Sequence, residues 1–159
     1  MPKLYSVRFD IGETLDQYTV ALTALKRFQV GVRSAQPGFL LPEGTQAHHL
    51  DLAVEKLEGT YLIKMWAVFE AAWVSFWRHR TGNLGMIKAM HLIQWAEGVQ
   101  AGHKAADNVT NDVNRVRLYR NFLIHGDHPA PRVSIEDAKT YLNRHLVKLP
   151  DQWPGDDED

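Results

Sequence analysis

Cysteine is absent from the sequence, which excludes disulfide scaffolds, thiolate zinc sites, iron–sulfur clusters and cysteine nucleophiles. Nothing in the chain depends on an oxidising compartment. A Gly-rich phosphate loop, a Ser nucleophile elbow and an HExxH string are also missing, which removes the commonest local signatures of nucleotide, acyl-transfer and zinc-protease chemistry. Positive charge is not in excess: 18 Lys and Arg face 19 Asp and Glu. A pI near 6.7 excludes the broad basic surface of a non-specific nucleic-acid binder, so any such contact must be local. The most apolar stretch, residues 61–77, is short for a membrane span and contains Lys64 and Glu70; a buried core helix is expected there, with no membrane role. Lys3, Arg8 and Asp10 stand where a secretory signal needs an apolar run, so a cytoplasmic protein is expected. With 159 residues, 45% of them hydrophobic, the chain fits one ordinary domain with one core.

What is present is helical periodicity. Leu4, Val7, Ile11, Leu15, Tyr18, Leu22 and Leu25 recur at steps of three and four, one face of a long amphipathic helix. Tyr5, Val7 and Phe9 also alternate, so a short strand before Gly12 competes for the first residues. Pro37-Gly38 stops this helix, and Phe39-Leu40-Leu41 is expected to fold back as an apolar plug. A second helix starts near Gln46 and runs to about Arg80, with tryptophans and phenylalanines crowding its second half as the core of the fold. Met86, Ile87, Met90, Ile93 and Trp95 predict a third helix that frays around residues 98–102. A fourth begins at Asp107 or Asn108 and runs to His125, where Gly126 supplies the left-handed residue past the end. Pro129 and Pro131 forbid its continuation. Ser134 followed by Glu136 and Asp137 caps a last helix through Ala138, Leu142, Leu146 and Leu149 to Pro150. The fold class is therefore all-α, about five helices over residues 1–150. Residues 151–159, ending in Asp156-Asp157-Glu158-Asp159, read as an acidic, disordered tail.

Two charged residues break the apolar pattern. On the fourth helix Val109, Val113, Val116, Tyr119, Leu123 and Ile124 form one stripe, and Arg120 falls near its centre. A charge withdrawn from water without a partner costs several kcal/mol, so Arg120 must be paired or line a cavity that admits an anion. The opposite side holds Leu118 and Phe122, so the helix is expected to be covered on two sides, with a second subunit as one cover. Asn121 and His125 share a face at i,i+4, with Arg117 on the flank. The last carbonyls of a helix favour a protonated histidine, which places His125 well as an acid–base group. The plainer alternative is that His125 caps the helix and Arg120 ties two helices together. Glu70, set among Trp66, Phe69, Trp73 and Phe76, also needs a partner; Arg120 or His125 across the helix interface is the economical one, and Lys64 or Arg78 the surface alternative. His125-Gly126-Asp127-His128 has metal-ligand atoms but no standard zinc spacing, and His48, His49, His91 and His103 are scattered. No metal and no cofactor is expected.

Arg120-Asn121-x-x-x-His125 at a helix end, preceded by Val113-Asn114-Arg115-Val116-Arg117-Leu118-Tyr119 and followed by Gly126, resembles the HEPN superfamily. These helical bundles carry an Arg followed after four to six residues by a His near a helix end, commonly with a polar residue after the Arg. The final helix, ending Leu146-Val147-Lys148-Leu149-Pro150, fits as well. The chain is similar to the bacterial HEPN nuclease-like families of toxin–antitoxin, antiphage and abortive-infection systems.

The resemblance implies a HEPN-like helical bundle and a metal-independent endoribonuclease. It implies a homodimer in which two motifs face each other, with RNA as substrate and a cognate antitoxin such as a nucleotidyltransferase-like protein as partner. His125 would move a proton, Arg120 stabilise charge on the phosphate oxygens and Asn121 orient them, with Glu70 and Arg117 in support. Other HEPN domains are catalytically silent, and a non-catalytic dimerisation module that binds a partner protein or nucleotide is the second expectation. The near-neutral charge departs from the nuclease picture, although Arg115, Arg117 and Arg120 with Arg78-His79-Arg80 supply a local phosphate track.

Overall fold

The computed structural model describes residues 3–98, 107–126 and 128–154. Five helices are present in it: α1 (Leu4–Arg33), α2 (Ala47–Thr81), α3 (Ala89–Gly98), α4 (Asp107–His125) and α5 (Ile135–Leu146). The all-α expectation therefore holds, and the strand that competed for residues 5–9 does not form.

The α1 periodicity buries Leu4, Val7 and Ile11. Beyond Tyr18, which meets Tyr61 of α2 at 5.9 Å between ring centroids, the two long helices leave the common core and continue as an antiparallel hairpin. Gln29 and Arg33 there reach Asp51. The hairpin loop departs in part from its expected plug. Phe39 packs against Phe28 and lies so close to Gly31 that an added Cβ would meet its ring carbon at 2.3 Å, but Leu40 is exposed. Leu41, like Phe39, is half-buried.

Leu62, Met65, Trp66, Phe69, Ala72, Trp73, Phe76 and Trp77 of α2 form the centre of the core. Gly82 ends the helix in the left-handed region at φ 64, where glycine carries no steric penalty. The third helix starts later than its apolar pattern suggested: Met86 is fully exposed, and Leu92, Ile93 and Ala96 are the residues buried on α3. The fraying expected around residues 98–102 falls, after Gly98, outside the described residues.

α5 begins as its sequence dictates, with Ser134 Oγ accepting the Asp137 N–H at 3.1 Å. It buries Ile135, Ala138, Leu142, His145 and Leu146, and it ends at Leu146 rather than at Pro150. The boundary expected at residue 150 also moves. Trp153 is 2% exposed, packs on Phe76 at 5.9 Å and donates its indole N–H to Ser75 Oγ at 3.1 Å. Asp151 accepts the Leu4 N–H through its carbonyl. Residues 151–154 therefore belong to the bundle, because one tryptophan buries enough apolar surface to hold a short acidic segment; residues 155–159 lie outside the described residues.

Candidate functional site at the end of the fourth helix

Two fully buried valines, Val113 and Val116, anchor α4 in the bundle. Leu123, about two turns past Val116, lies over Gly59 of α2, where an added Cβ would stand 3.1 Å from Leu123 Cδ2. The glycine lets the two helices approach, and so it fixes which part of α2 faces the end of α4. Gly126, at φ 71, closes the helix with its N–H on the Phe122 carbonyl at 2.8 Å.

Around this end Arg117, Asn121 and His125 border a groove of about 300 Å³, completed by Leu118, Phe122 and the strap of residues 128–131. Arg120 is half-buried and joins the group through Asn121, giving Nη1 to Oδ1 at 3.0 Å. Its Nε is buried without a hydrogen-bond partner, and among the described residues no carboxylate pairs with it. With Asn121 Oδ1 turned to the guanidinium, the amide's two N–H groups remain as donors. Arg117 ties its Nε to Asn114 Oδ1 at 2.9 Å, and burial pushes its guanidinium below the ordinary value. His125 is the exposed final residue of the helix. The arrangement offers two guanidinium groups, an amide donor pair and an imidazole around one end of a helix, a set suited to binding and protonating an oxyanion.

The stripe expected on this helix is narrower than its sequence pattern. Ile124, at the end of the stripe, is 44% exposed; on the side opposite the stripe Leu118 is 41% exposed and Phe122 is half-buried, stacked on Tyr119 at 6.3 Å. The outer side of α4 thus carries uncovered apolar surface next to the polar groups.

Glu70 is not part of this cluster. It accepts the Trp66 indole N–H at 2.9 Å, one turn back on its own helix, and it forms no ion pair with Arg120 or His125. The reason is axial: Gly59 marks where α4 ends against α2, and Glu70 lies eleven residues later, about 16 Å along the helix. Lys64, one of the alternative partners, bonds Gln17 instead. Glu70 borders a small cavity of about 10 Å³ with Trp66, Trp73 and His145.

The acid near the end of α4 is Glu58, which the sequence reading did not single out. It pairs with Arg132, accepts the Ile135 N–H at 3.1 Å, and borders a second, open groove of about 790 Å³ with Tyr18, Tyr119, Phe122, Leu123 and Gly126. Burial and the charges of Glu58 and Glu136 raise the Tyr18 phenol above its ordinary value. Its signal in the sequence was position alone, a Glu one residue before a helix-interior glycine.

Of the histidines, His49 caps α2, accepting the Gln46 N–H at 3.1 Å, while His128 joins the groove. Asp127, in the weighed His125-Gly126-Asp127-His128 metal reading, lies outside the described residues; among those described, no three His, Asp or Glu side chains gather as metal ligands do. No helix there is long and apolar enough to cross a membrane. Compared with protein families, curated proteins and solved structures, the chain matches none.

Proposed function

We propose that the chain is a metal-independent endoribonuclease of HEPN type that works as a homodimer. The observation that carries this reading is the end of α4, where Arg120, with no carboxylate partner among the described residues, bonds Asn121 and His125 closes the helix beside an open groove. An arginine kept only as a helix tie would be expected to meet an acid, and Arg120 meets an amide.

In the proposed reaction the RNA 2′-oxygen forms a bond to its neighbouring phosphorus while the bond to the 5′-oxygen breaks. The 2′ proton leaves to a base and the departing 5′-oxygen gains one, transfers that imidazole can perform near neutral pH. Arg120 and the Asn121 amide neutralise charge on the non-bridging oxygens, with Arg117 holding the adjoining phosphate. Facing motifs of two subunits supply a second imidazole, so that one takes the proton and the other gives it. The uncovered Leu118 and Ile124 beside the motif fit such a partner surface. A cytoplasmic toxin–antitoxin, abortive-infection or antiphage role, held in check by a nucleotidyltransferase-like antitoxin, is the setting that the resemblance implies.

The same exposed apolar residues favour one other reading, a non-catalytic module that docks a partner there. Labelled single-stranded RNA distinguishes the two. The nuclease yields fragments with 2′,3′-cyclic phosphate and 5′-hydroxyl ends and leaves an all-deoxy strand intact; RNA that stays whole supports the module.

A further inference from the structure

A third groove lies between the start of α1 and the outer face of α5. Arg8, Lys139, Thr140, Asn143, Arg144 and Val147 line about 540 Å³ of open space. Three of the six are cations and none is an acid, in a chain whose overall charge is −1. Among the described residues no carboxylate pairs with any of the three; Arg8 Nη2 reaches only the Asn143 carbonyl, at 3.4 Å. The i, i+3, i+4, i+7 spacing of Thr140, Asn143, Arg144 and Val147 makes this one continuous face of α5 and its following turn.

On α1, Tyr5 and Phe9 stand next to Arg8 and are 75% and 52% exposed. Their rings stack on one another, with centroids 6.4 Å apart and planes 28° from parallel. Two large aromatic faces held in water cost free energy that burial would recover, and here they stand on the same two turns of α1 as Arg8, one of the groove's three cations. Cations spaced along a groove track phosphates, and exposed aromatic faces stack bases of any identity.

We propose that this groove is an exosite for single-stranded nucleic acid, with Arg8, Lys139 and Arg144 on the phosphates and Tyr5 and Phe9 as the stacking platform. It is separate from the end of α4: Arg8 lies ten residues, about 15 Å, along α1 from Tyr18, which borders the nearer groove. It goes beyond the nuclease reading and does not depend on it, since binding here needs no 2′-hydroxyl. In a nuclease it would hold a long strand while the other end is cut.

The test is fluorescence anisotropy with labelled oligo(dT), which cannot be cleaved by 2′-OH chemistry, alongside oligo(U) on a His125→Ala background. The wild-type chain binds oligo(dT) and His125→Ala binds oligo(U), both more weakly as salt rises. Lys139→Glu with Arg144→Glu weakens binding about tenfold and lowers the salt slope, whereas Arg27→Glu, an exposed charge reversal further along α1, leaves it unchanged. Phe9→Leu keeps apolar bulk but loses the π face and weakens binding severalfold; Phe9→Trp retains it. Circular dichroism melting accompanies each variant. Absence of salt-dependent binding, equal loss with Arg27→Glu, or Phe9→Leu binding as the wild type does would each overturn the exosite.

Discussion

Glu58 of α2 accepts the backbone N–H of Ile135 through Oε1 at 3.1 Å, so a carboxylate in the second helix holds the first turn of the fifth. Its other oxygen pairs with Arg132. The donor it satisfies is one of those a helix start leaves unpaired, and a negative charge there also meets the positive end of the helix dipole. Glu58→Ala is expected to cost about 1–2 kcal/mol in urea unfolding. Glu58→Gln, which keeps an acceptor, costs less, and Arg132→Ala changes little because that side chain is in water. An unchanged midpoint for Glu58→Ala would show that α5 does not need this cap.

Much of this was legible beforehand. Turn residues and 3.6-residue periodicity placed all five helices, because Pro37-Gly38, Gly126 and Ser134 act through local backbone chemistry. The cluster of Arg117, Asn121 and His125 was legible for the same reason, being set by spacing on one helix. The separation of Glu70 from Arg120 and His125 was not, since it depends on how far α4 slides along α2, and that is fixed by the Gly59–Leu123 approach; its bond from Trp66, at i−4 on the same helix, is local. His145 occupies the α5 stripe of Ala138, Leu142 and Leu146, so its position marks it as buried although its residue type does not. The burial of Trp153 was not legible, because the acidic residues around it favour solvent.

His145 sets an acid limit on stability. It is fully buried between Phe69 and Trp73, and burial, with the Lys148 charge adding to it, holds the imidazole at about 3 against the ordinary 6.5. The unfolded chain takes up this proton as pH falls through 6.5, and the folded chain does not until about 3. The contribution is therefore whole above 6.5 and is lost progressively below it, with a slope approaching about 1.4 kcal/mol per pH unit. His145→Leu should flatten the stability profile between pH 6 and 4. Parallel profiles for wild type and variant would contradict the burial argument.

Trp153 should matter as a core residue does. Truncation of a buried tryptophan to alanine costs about 3–5 kcal/mol, so Trp153→Ala is expected to lower the melting temperature sharply. Ending the chain after residue 150 should do at least as much. A truncated chain that melts with the wild type would return residues 151–154 to the tail.

The composite site predicts a dimer built over the outer side of α4. Light scattering across a dilution series should give twice the chain mass, and Leu118→Glu with Ile124→Glu should shift it to monomer while the helical circular dichroism signal persists. A monomer at every concentration would remove the facing motifs from the proposal.

The central claim is that Arg120 and His125 cut RNA without a metal. The most direct measurement is the cleavage rate of single-stranded RNA in EDTA by the purified protein, freed of any antitoxin. Wild type should cleave. Arg120→Ala and His125→Ala should each lose about a hundredfold or more. Arg120→Lys should fail too, since an ammonium cannot reproduce the planar fork, while Glu70→Gln, remote from the site, should cleave as the wild type does. RNA left intact by the wild type, or cut as fast by His125→Ala, would contradict the proposal.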